Sequence, residues 1–491
     1  MFFIFVPVNE RWSFDYRYRK GMDIFMVFSS LTFLVCFFPV VLLLYFICKN
    51  MKYRNAVLIV FSLLFYAWGE PKWIAVMLLT VGINYLCGLI IVSAKSLAVR
   101  RVGLLTGIIV SLGFLVYFKY TGFLLDSVSS LLSIEHSFVA PVLPIGISFY
   151  TFQVLTYTVD VYCGKTSVQK SFFRLLLYVS FFPQLIAGPI VNYSDIEKYL
   201  KERTIRFEDF YQGMLRFLIG FSKKILLANT CGEITQQLQL SEGMSVLGAW
   251  IMAIAYTFQI YFDFSGYSDM AIGMGRMFGF HFLENFNYPY LSKSVTEFWR
   301  RWHISLGTFF RDYVYIPLGG NRVSRSRWLC NILIVWMLTG IWHGASWNFL
   351  LWGVYYGVLL ILEKMFLLKI KETLPSFVNV VVTLFFVIIG WMLFYYVDAG
   401  QALTHIGRMF GVGAPALPDP KAIYFGKKYL GFLILAALAC VPWKQYLRDE
   451  GRWKNSMAVT VGKLIAVTVM ALIAFGFLVG QSYNPFLYFR F

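Results

Sequence analysis

The longest stretch of the chain without a charged side chain runs from position 328 to position 362 and holds a histidine, His343, near its middle. A single helix of this length would measure about 52 Å, whereas the hydrocarbon core of a bilayer is about 30 Å thick. We therefore predict a bent hairpin, with its turn near residues 344–348 and both basic flanks in the cytoplasm. His343 would lie deep in the membrane and be reached through a cavity in the protein. An ionisable side chain at that depth indicates a functional site.

The composition excludes a soluble globular protein. Hydrophobic residues make up 59% of the chain, charged residues make up 14%, and the mean hydropathy is +0.67. We predict an all-α, polytopic membrane protein with roughly 11–13 transmembrane or re-entrant helices. The predicted spans are 31–48, 56–69, 73–92, 102–118, 139–162, 172–190, 214–228, 246–262, 329–342, 348–362, 378–396, 429–441 and 459–479. Residues 262–321 are less apolar, and we expect them to pack inside the protein or at the interface.

The formal charge of +18 comes from short basic segments between the apolar runs. This pattern is typical of cytoplasmic loops facing anionic lipid, and no nucleic-acid-binding motif accompanies it. The seven cysteines show no Cys-x-x-Cys spacing, so neither a disulfide framework nor a zinc site is indicated.

We divide the chain into an N-terminal extension, residues 1–25, and one membrane domain, residues 26–491. The positive-inside rule predicts an outside N-terminus, yet Arg11, Arg17, Arg19 and Lys20 precede the first span. Either Met22 or Met26 is the true start, or the extension is genuine and orients the chain only weakly. No small-residue cleavage site of a signal peptide follows it.

A second histidine, His303, belongs to the segment 294–305, which we predict to be helical because Ser294 and Glu297 match a capping box. Helical spacing would pair Glu297 with Arg301 and would place Trp299 and His303 on one face. An interfacial helix explains the tryptophans and arginines equally well. Alternatively, Arg300 and Arg301 bind a phosphorylated ligand beside an active-site histidine.

Two carboxylates, Asp263 and Asp269, lie among hydroxyls at the end of an apolar run. They could orient a histidine, bind a cation or belong to a structural hydrogen-bond network, and the last is the simplest interpretation. The remaining histidines, His136, His281 and His405, are predicted to be structural. No histidine pair has metal-ligand spacing, so we expect no metal site. No nucleophile elbow, P-loop or dinucleotide fingerprint is present.

Two histidines in an apolar chain without metal spacing are suited to proton transfer. A neutral imidazole in a region of low dielectric is an effective base for an acceptor hydroxyl. We predict that His343 is this base, with His303 assisting it. A transporter in which His343 relays protons is the alternative from another class.

Seven short motifs occur in an order typical of one family. They are LPIGISFY at 143–150, PQLIAGP at 183–189, YFDFSGYSDMAIG at 261–273, ENFNYPY at 284–290, FWRRWHIS at 298–305, LGGNR at 318–322 and WHGA at 342–345. With these motifs the chain resembles the membrane-bound O-acyltransferase family, in particular the branch that acetylates alginate. The resemblance covers nearly the whole chain from about Met26.

The resemblance implies a helical bundle around a central tunnel open to both faces of the membrane. The family's catalytic histidine corresponds to His343 and its second active-site position to His303. It further implies acetyl-CoA as the donor substrate, with no bound cofactor, and a separate extracytoplasmic acetyltransferase as partner. The location would be the bacterial cytoplasmic membrane. Within the same superfamily, a teichoic-acid or lipid acyltransferase is the alternative.

Overall fold

The computed structural model describes residues 26–134, 137–186, 188–241, 243–415, 417–443 and 457–480, together with Asn484 and Leu487. The predicted extension 1–25 and His136 therefore lie outside the described residues. Within the described ranges every regular element is a helix, and no strand occurs. The prediction of an all-α membrane protein is confirmed.

In the first half of the chain we number nine helices. They are α1 (Thr32–Ile47), α2 (Met51–Ala67), α3 (Ile74–Ser93), α4 (Leu97–Leu132), α5 (Ile147–Tyr162), α6 (Phe172–Ser180), α7 (Tyr193–Lys201), α8 (Phe207–Ser222) and α9 (Asn229–Gln239). Two of these are joined without a break, because a π-helical segment, Lys223–Ala228, connects α8 to α9.

The second half forms ten more. They are α10 (Val246–Met277), α11 (Val295–Arg301), α12 (Ile304–Phe310), α13 (Arg325–His343), α14 (Trp347–Leu362), α15 (Leu368–Thr373), α16 (Ser376–Tyr395), α17 (Ala399–Met409), α18 (Pro420–Ala439) and α19 (Met457–Gly480). Of the helical segments described, seven are long and apolar enough to cross a membrane by themselves. Several predicted spans correspond to shorter helices packed inside the bundle.

Two predicted spans and one predicted helix are shorter or broken in the structure. The span 139–162 becomes helical only at Ile147, and the span 172–190 is broken at Phe181, whose backbone leaves the helical region before Pro183. The helix 294–305 is also wrong, because α11 ends at Arg301 and His303 adopts a left-handed conformation with φ of +45°. Trp299 and His303 therefore do not share a helical face.

The centre of the bundle is the 32-residue helix α10, most of which is buried in the protein. Glycines let α8 approach it closely, since a Cβ on Gly213 would meet the carbonyl of Gly273 and a Cβ on Gly220 would meet the carbonyl of Gly266. The two helices can pack at this distance because glycine has no side chain. The long run of apolar residues thus forms a core helix around which the other helices pack.

The predicted hairpin is confirmed. Helix α13 begins at Arg325 beside the basic flank and ends at His343, and α14 begins at Trp347. At the turn, the amide of Asn348 donates to the backbone carbonyls of Leu393 and Tyr396, which ties the hairpin to the end of α16. His343 consequently lies at the tip of a helix about 27 Å long, as the rise per residue requires.

Candidate active site

His343 is buried within a cage of aromatic rings. Its imidazole lies 4.9 Å from the ring of Trp342, 5.2 Å from that of Trp352 and 5.1 Å from that of Phe394, measured between centroids. All three contacts are edge-on, and together they restrict rotation of the imidazole. No protein atom of the described residues forms a hydrogen bond with its Nδ1. A buried polar atom of this kind usually has a partner, and a substrate would supply one.

His303 is held by hydrogen bonds instead. Its Nδ1 lies 3.1 Å from the Oδ1 of Asn285, which also accepts from the backbone N–H and the hydroxyl of Ser305 at 3.2 and 2.9 Å. Because the backbone N–H of Ser305 can only donate, the Asn285 atom facing it is the amide oxygen. Nδ1 of His303 must then carry the proton, which makes Nε2 the basic nitrogen.

The two histidines share one neighbour, the indole of Trp342, whose centroid is 6.0 Å from that of His303. The left-handed backbone at His303 separates α11 from α12 and turns the imidazole toward the hairpin. The structure therefore brings together the two histidines that the sequence analysis singled out.

A small inner cavity of about 20 Å³ adjoins His343. Its wall is mostly aromatic, and it is lined by Ile260, Asp263, Phe264, Trp299, Trp302, His343, Trp352, Trp391, Phe394 and Leu487. The cavity lies among α10, α11, α14 and α16, and it has space for about one water molecule. An apolar wall on this side of the histidine limits the amount of water beside it.

A larger outer cavity of about 290 Å³ meets the same histidine. It is lined by Glu70, Lys119, the segment 142–149, Ile186, Trp342 and His343. Glu70 follows α2 and the segment 142–149 follows α4, and both helices begin beside basic residues at their opposite ends. The positive-inside rule predicts that this cavity faces the extracytoplasmic side. His343 is thus the residue that lines both cavities.

Glu70 is the acidic group of the outer cavity. Burial raises the pKa of its carboxyl to about 7, although the backbone N–H of Ile145, which donates to it at 2.8 Å, acts in the opposite direction. Its pKa therefore lies close to neutral pH, and it is the described carboxyl in the lining of this cavity. The sequence analysis did not identify Glu70, because a lone glutamate after an apolar run is typical of a loop.

Lys119 was also missed. The predicted span ended at position 118, which placed Lys119 in a loop, whereas α4 continues through it to Leu132. Its Nζ donates to the backbone carbonyl of Trp342 at 2.5 Å and to the hydroxyl of Ser148 at 3.3 Å. A lysine flanked by apolar residues on both sides was the signal that could have revealed it.

Asp263 and Asp269 lie six residues apart on α10 and contact different partners. Asp263 lines the inner cavity, pairs with the buried Lys224 at 2.7 Å and accepts from the backbone N–H of Leu487 at 2.8 Å. Asp269 pairs with Arg216 at 2.9 Å and with Lys223 at 2.7 Å. Neither aspartate has a described contact with a histidine, and Asp269 lines neither cavity.

Arg300 and Arg301 lie at the end of α11. Arg301 pairs with Glu297 at 2.6 Å, as the spacing predicted, and Ser294 accepts from the backbone N–H of Glu297 at 2.9 Å. Arg300 is exposed, and its positive charge repels that of Lys364. These positions are compatible with an anionic ligand at the basic face of the protein, which stays a prediction.

The other two described histidines are away from the cavities. His281 is exposed and lies 5.5 Å from the ring of Tyr199, whereas His405 is buried with its Nδ1 3.0 Å from the hydroxyl of Tyr396. Within the described ranges no three histidine, cysteine or carboxylate side chains form a group that could hold a metal ion.

The sequence matches the family model of the membrane-bound O-acyltransferases over residues 164–399. It is also 37% identical over 487 residues to the probable alginate O-acetylase of Pseudomonas putida, covering 95% of this chain and 100% of the relative. The chain belongs to the membrane-bound O-acyltransferase family. It is therefore a multi-pass membrane O-acyltransferase, and the resemblance of its motifs to this family is confirmed.

Other members of the membrane-bound O-acyltransferase family are more distant. The peptidoglycan O-acetyltransferase of Helicobacter pylori is 34% identical, covering 80% of this chain and 81% of the relative. The teichoic acid D-alanyltransferase of Bacillus subtilis is 30% identical, covering 53% of this chain and 70% of the relative. The three relatives are named for the O-acetylation of alginate, the O-acetylation of peptidoglycan and the D-alanylation of teichoic acid.

Proposed function

We propose that this membrane O-acyltransferase moves acetyl groups from a cytosolic acetyl-CoA donor across the membrane for the O-acetylation of an exopolysaccharide such as alginate. The single observation that carries the proposal is the position of His343, which lines both the small aromatic inner cavity and the larger outer cavity that contains Glu70 and Lys119. A transferase with its donor and acceptor in different compartments needs one reactive group at the meeting point of two routes. The long match to a probable alginate O-acetylase supports the choice of acceptor.

In this proposal His343 is the base or the site of acyl hand-over. The acceptor oxygen bonds to the acetyl carbon while its proton passes to the imidazole of His343. The carbon–sulfur bond of the thioester then breaks, and the same proton goes to the thiolate of CoA. His303, whose tautomer is set by Asn285, steadies the charge that develops on this path.

The donor, the location and the partner belong to the same proposal. Exposed basic residues such as Arg300 suit the phosphates of CoA electrostatically. The location is the cytoplasmic membrane of a bacterium, and a separate extracytoplasmic acetyltransferase completes the transfer to the polysaccharide. Asp263, Asp269 and Arg301 orient the site or contribute to donor binding only indirectly, through the ion pairs described above.

The test is His343→Ala in the full-length protein. We expect transfer or hydrolysis of labelled acetyl-CoA to fall by about 10²- to 10⁴-fold, the usual contribution of a general base. His303→Ala is expected to lower turnover more than the amount of protein in the membrane. Membrane insertion of both variants is measured by fractionation and by size-exclusion chromatography in detergent.

His405→Ala is the matched control, because His405 is buried but away from both cavities. Full acetyl turnover in His343→Ala would refute the catalytic role. Proton-coupled flux without any acyl turnover would favour a transporter instead.

The alternative acceptor is a teichoic acid or a lipid, which the similarity to a teichoic acid D-alanyltransferase keeps open. The same two histidines would serve either acceptor, so the active-site residues do not distinguish them. Product analysis does: acetate bound to exopolysaccharide supports the proposal, and acylated lipid or teichoic acid contradicts it.

A further inference from the structure

The hairpin helix α13 ends at the residue proposed to be catalytic, and its last carbonyls need hydrogen-bond donors. A helix C-terminus leaves its final backbone carbonyls without partners inside the helix. Here the hydroxyl of Tyr120 donates to the carbonyl of Ile341 at 3.0 Å, and the ammonium of Lys119 donates to the carbonyl of Trp342 at 2.5 Å. Two adjacent residues of α4 thus cap the helix that carries His343.

Both capping residues come from a π-helical turn, Val116–Tyr120, inside α4. Such a turn contains one extra residue, which changes the direction of the side chains that follow it, and it is frequent at functional sites. The ammonium of Lys119 also lies 5.8 Å from the centroid of the Trp342 indole and donates to Ser148 of α5. Three helices, α4, α5 and α13, therefore meet at this one side chain.

Lys119 is placed to affect the reaction as well as the fold. It lines the outer cavity together with His343. A cation at a helix C-terminus interacts favourably with the negative end of the helix dipole. A methionine in its place would retain neither the charge nor the hydrogen bond to the carbonyl of Trp342.

We propose that Lys119 is a positioning residue for acyl transfer. Its ammonium holds the carbonyl of Trp342, and through it the backbone of the next residue, so that His343 stays at the junction of the two cavities. The proposal rests on the function proposed for His343. The proposal adds a requirement to that function, namely a hydrogen bond and a positive charge supplied by a residue of another helix.

The first experiment is Lys119→Met in the full-length protein. Loss of a charge-assisted hydrogen bond predicts that kcat for acetyl-CoA falls roughly 10- to 100-fold. The KM for acetyl-CoA is expected to stay within about twofold, since the donor's basic binding face is left intact. Lys72→Met is the control, because Lys72 is exposed and near the same end of the bundle, and its kinetics should match those of the unaltered protein.

A second experiment separates the charge from packing. Purified Lys119→Cys is treated with 2-bromoethylamine: the thiolate displaces bromide and forms a sulfur–carbon bond, giving a side chain with the length and charge of lysine. Treatment with 2-bromoethanol gives a neutral side chain of the same length. We expect the first reagent to raise kcat at least about tenfold and the second to leave it low. The unaltered protein, treated in parallel, controls for reaction at the native cysteines.

The outcomes are distinguishable. Normal kcat in Lys119→Met, or equal rescue by the two reagents, would overturn the role of Lys119. If His343→Ala is inactive in the same assay, the proposed function survives that result. Normal turnover in His343→Ala would overturn both proposals together.

Discussion

The two histidines are positioned by different physical means. Aromatic rings on three sides and a capped helix end hold His343, whereas a left-handed backbone and the amide of Asn285 hold His303. A left-handed conformation is unfavourable for a residue with a Cβ, so the packing around His303 must stabilise it. Both imidazoles are thereby oriented, and Nδ1 of His343 has no hydrogen-bond partner among the described residues.

Glu70 provides a residue-scale prediction about pH. An unfolded glutamate ionises near pH 4.3, and the folded one ionises near pH 7 because it is buried. Between these values the folded state binds more protons than the unfolded state, so this carboxyl's contribution to stability is lost as the pH rises. Glu70→Gln stays neutral, and we expect it to raise the thermal midpoint by roughly 2–4 °C at pH 8 and by much less at pH 5.

Differential scanning fluorimetry of the detergent-solubilised protein at the two pH values measures this difference. Glu202→Gln is the control, because Glu202 is exposed and its substitution should shift the midpoint equally at both pH values. An effect of Glu70→Gln that is the same at pH 5 and pH 8 would contradict the raised pKa.

At the scale of elements, the hairpin depends on close contact between α13 and α14. A Cβ on Gly353 would meet the carbonyl of Trp336, and a Cβ on Gly340 would meet the carbonyl of Phe349. Glycine at these crossings lets the two helix backbones touch. His343 lies three residues after Gly340, so the distance between α13 and α14 sets its position.

Gly353→Ala is therefore expected to push the helices apart, destabilising the protein by about 1–3 kcal/mol and lowering acetyl turnover. Gly113→Ala is the matched control, since a Cβ there meets no atom within 4 Å and α4 should tolerate it. Thermal unfolding and acetyl-CoA turnover of the two variants are compared side by side. Equal stability of the two variants would show that the helices are less closely packed than described.

At the scale of the whole molecule, residues near the C-terminus join helices that are far apart in the sequence. The side chain of Asn484 donates to the carbonyl of Ser29 at 3.0 Å and accepts from Asn229 at 3.2 Å. The backbone N–H of Leu487 donates to Asp263, which pairs with Lys224. This buried polar network, next to the inner cavity, links the π-helical segment Lys223–Ala228, α9 and α10 to Asn484 and Leu487.

Removing one charge from the network leaves the other buried without its partner. Asp263→Asn is expected to cost about 3–5 kcal/mol of stability, and the double variant Asp263→Asn with Lys224→Met should recover much of that loss. Chemical denaturation in detergent measures both. A stable Asp263→Asn variant with no acetyl turnover would instead assign Asp263 to the reaction.

The positions of most helices and the class of the protein could be predicted from the sequence. Hydropathy and basic flanks are local properties, so a run such as 328–362 indicates a membrane hairpin whatever surrounds it. His343 stood out for the same reason, since an ionisable group in an uncharged run is visible without any neighbour. The motifs around the two histidines then pointed to the correct family.

Tertiary structure alone decided which side chains meet at His343. Lys119 lies more than two hundred positions away, and Asn285 reaches His303 only because the predicted helix 294–305 breaks. The same packing separates Asp263 from Asp269, which the sequence placed in one cluster. Contacts of this kind depend on how helices approach across the bundle, and periodicity along the chain carries no information about that approach.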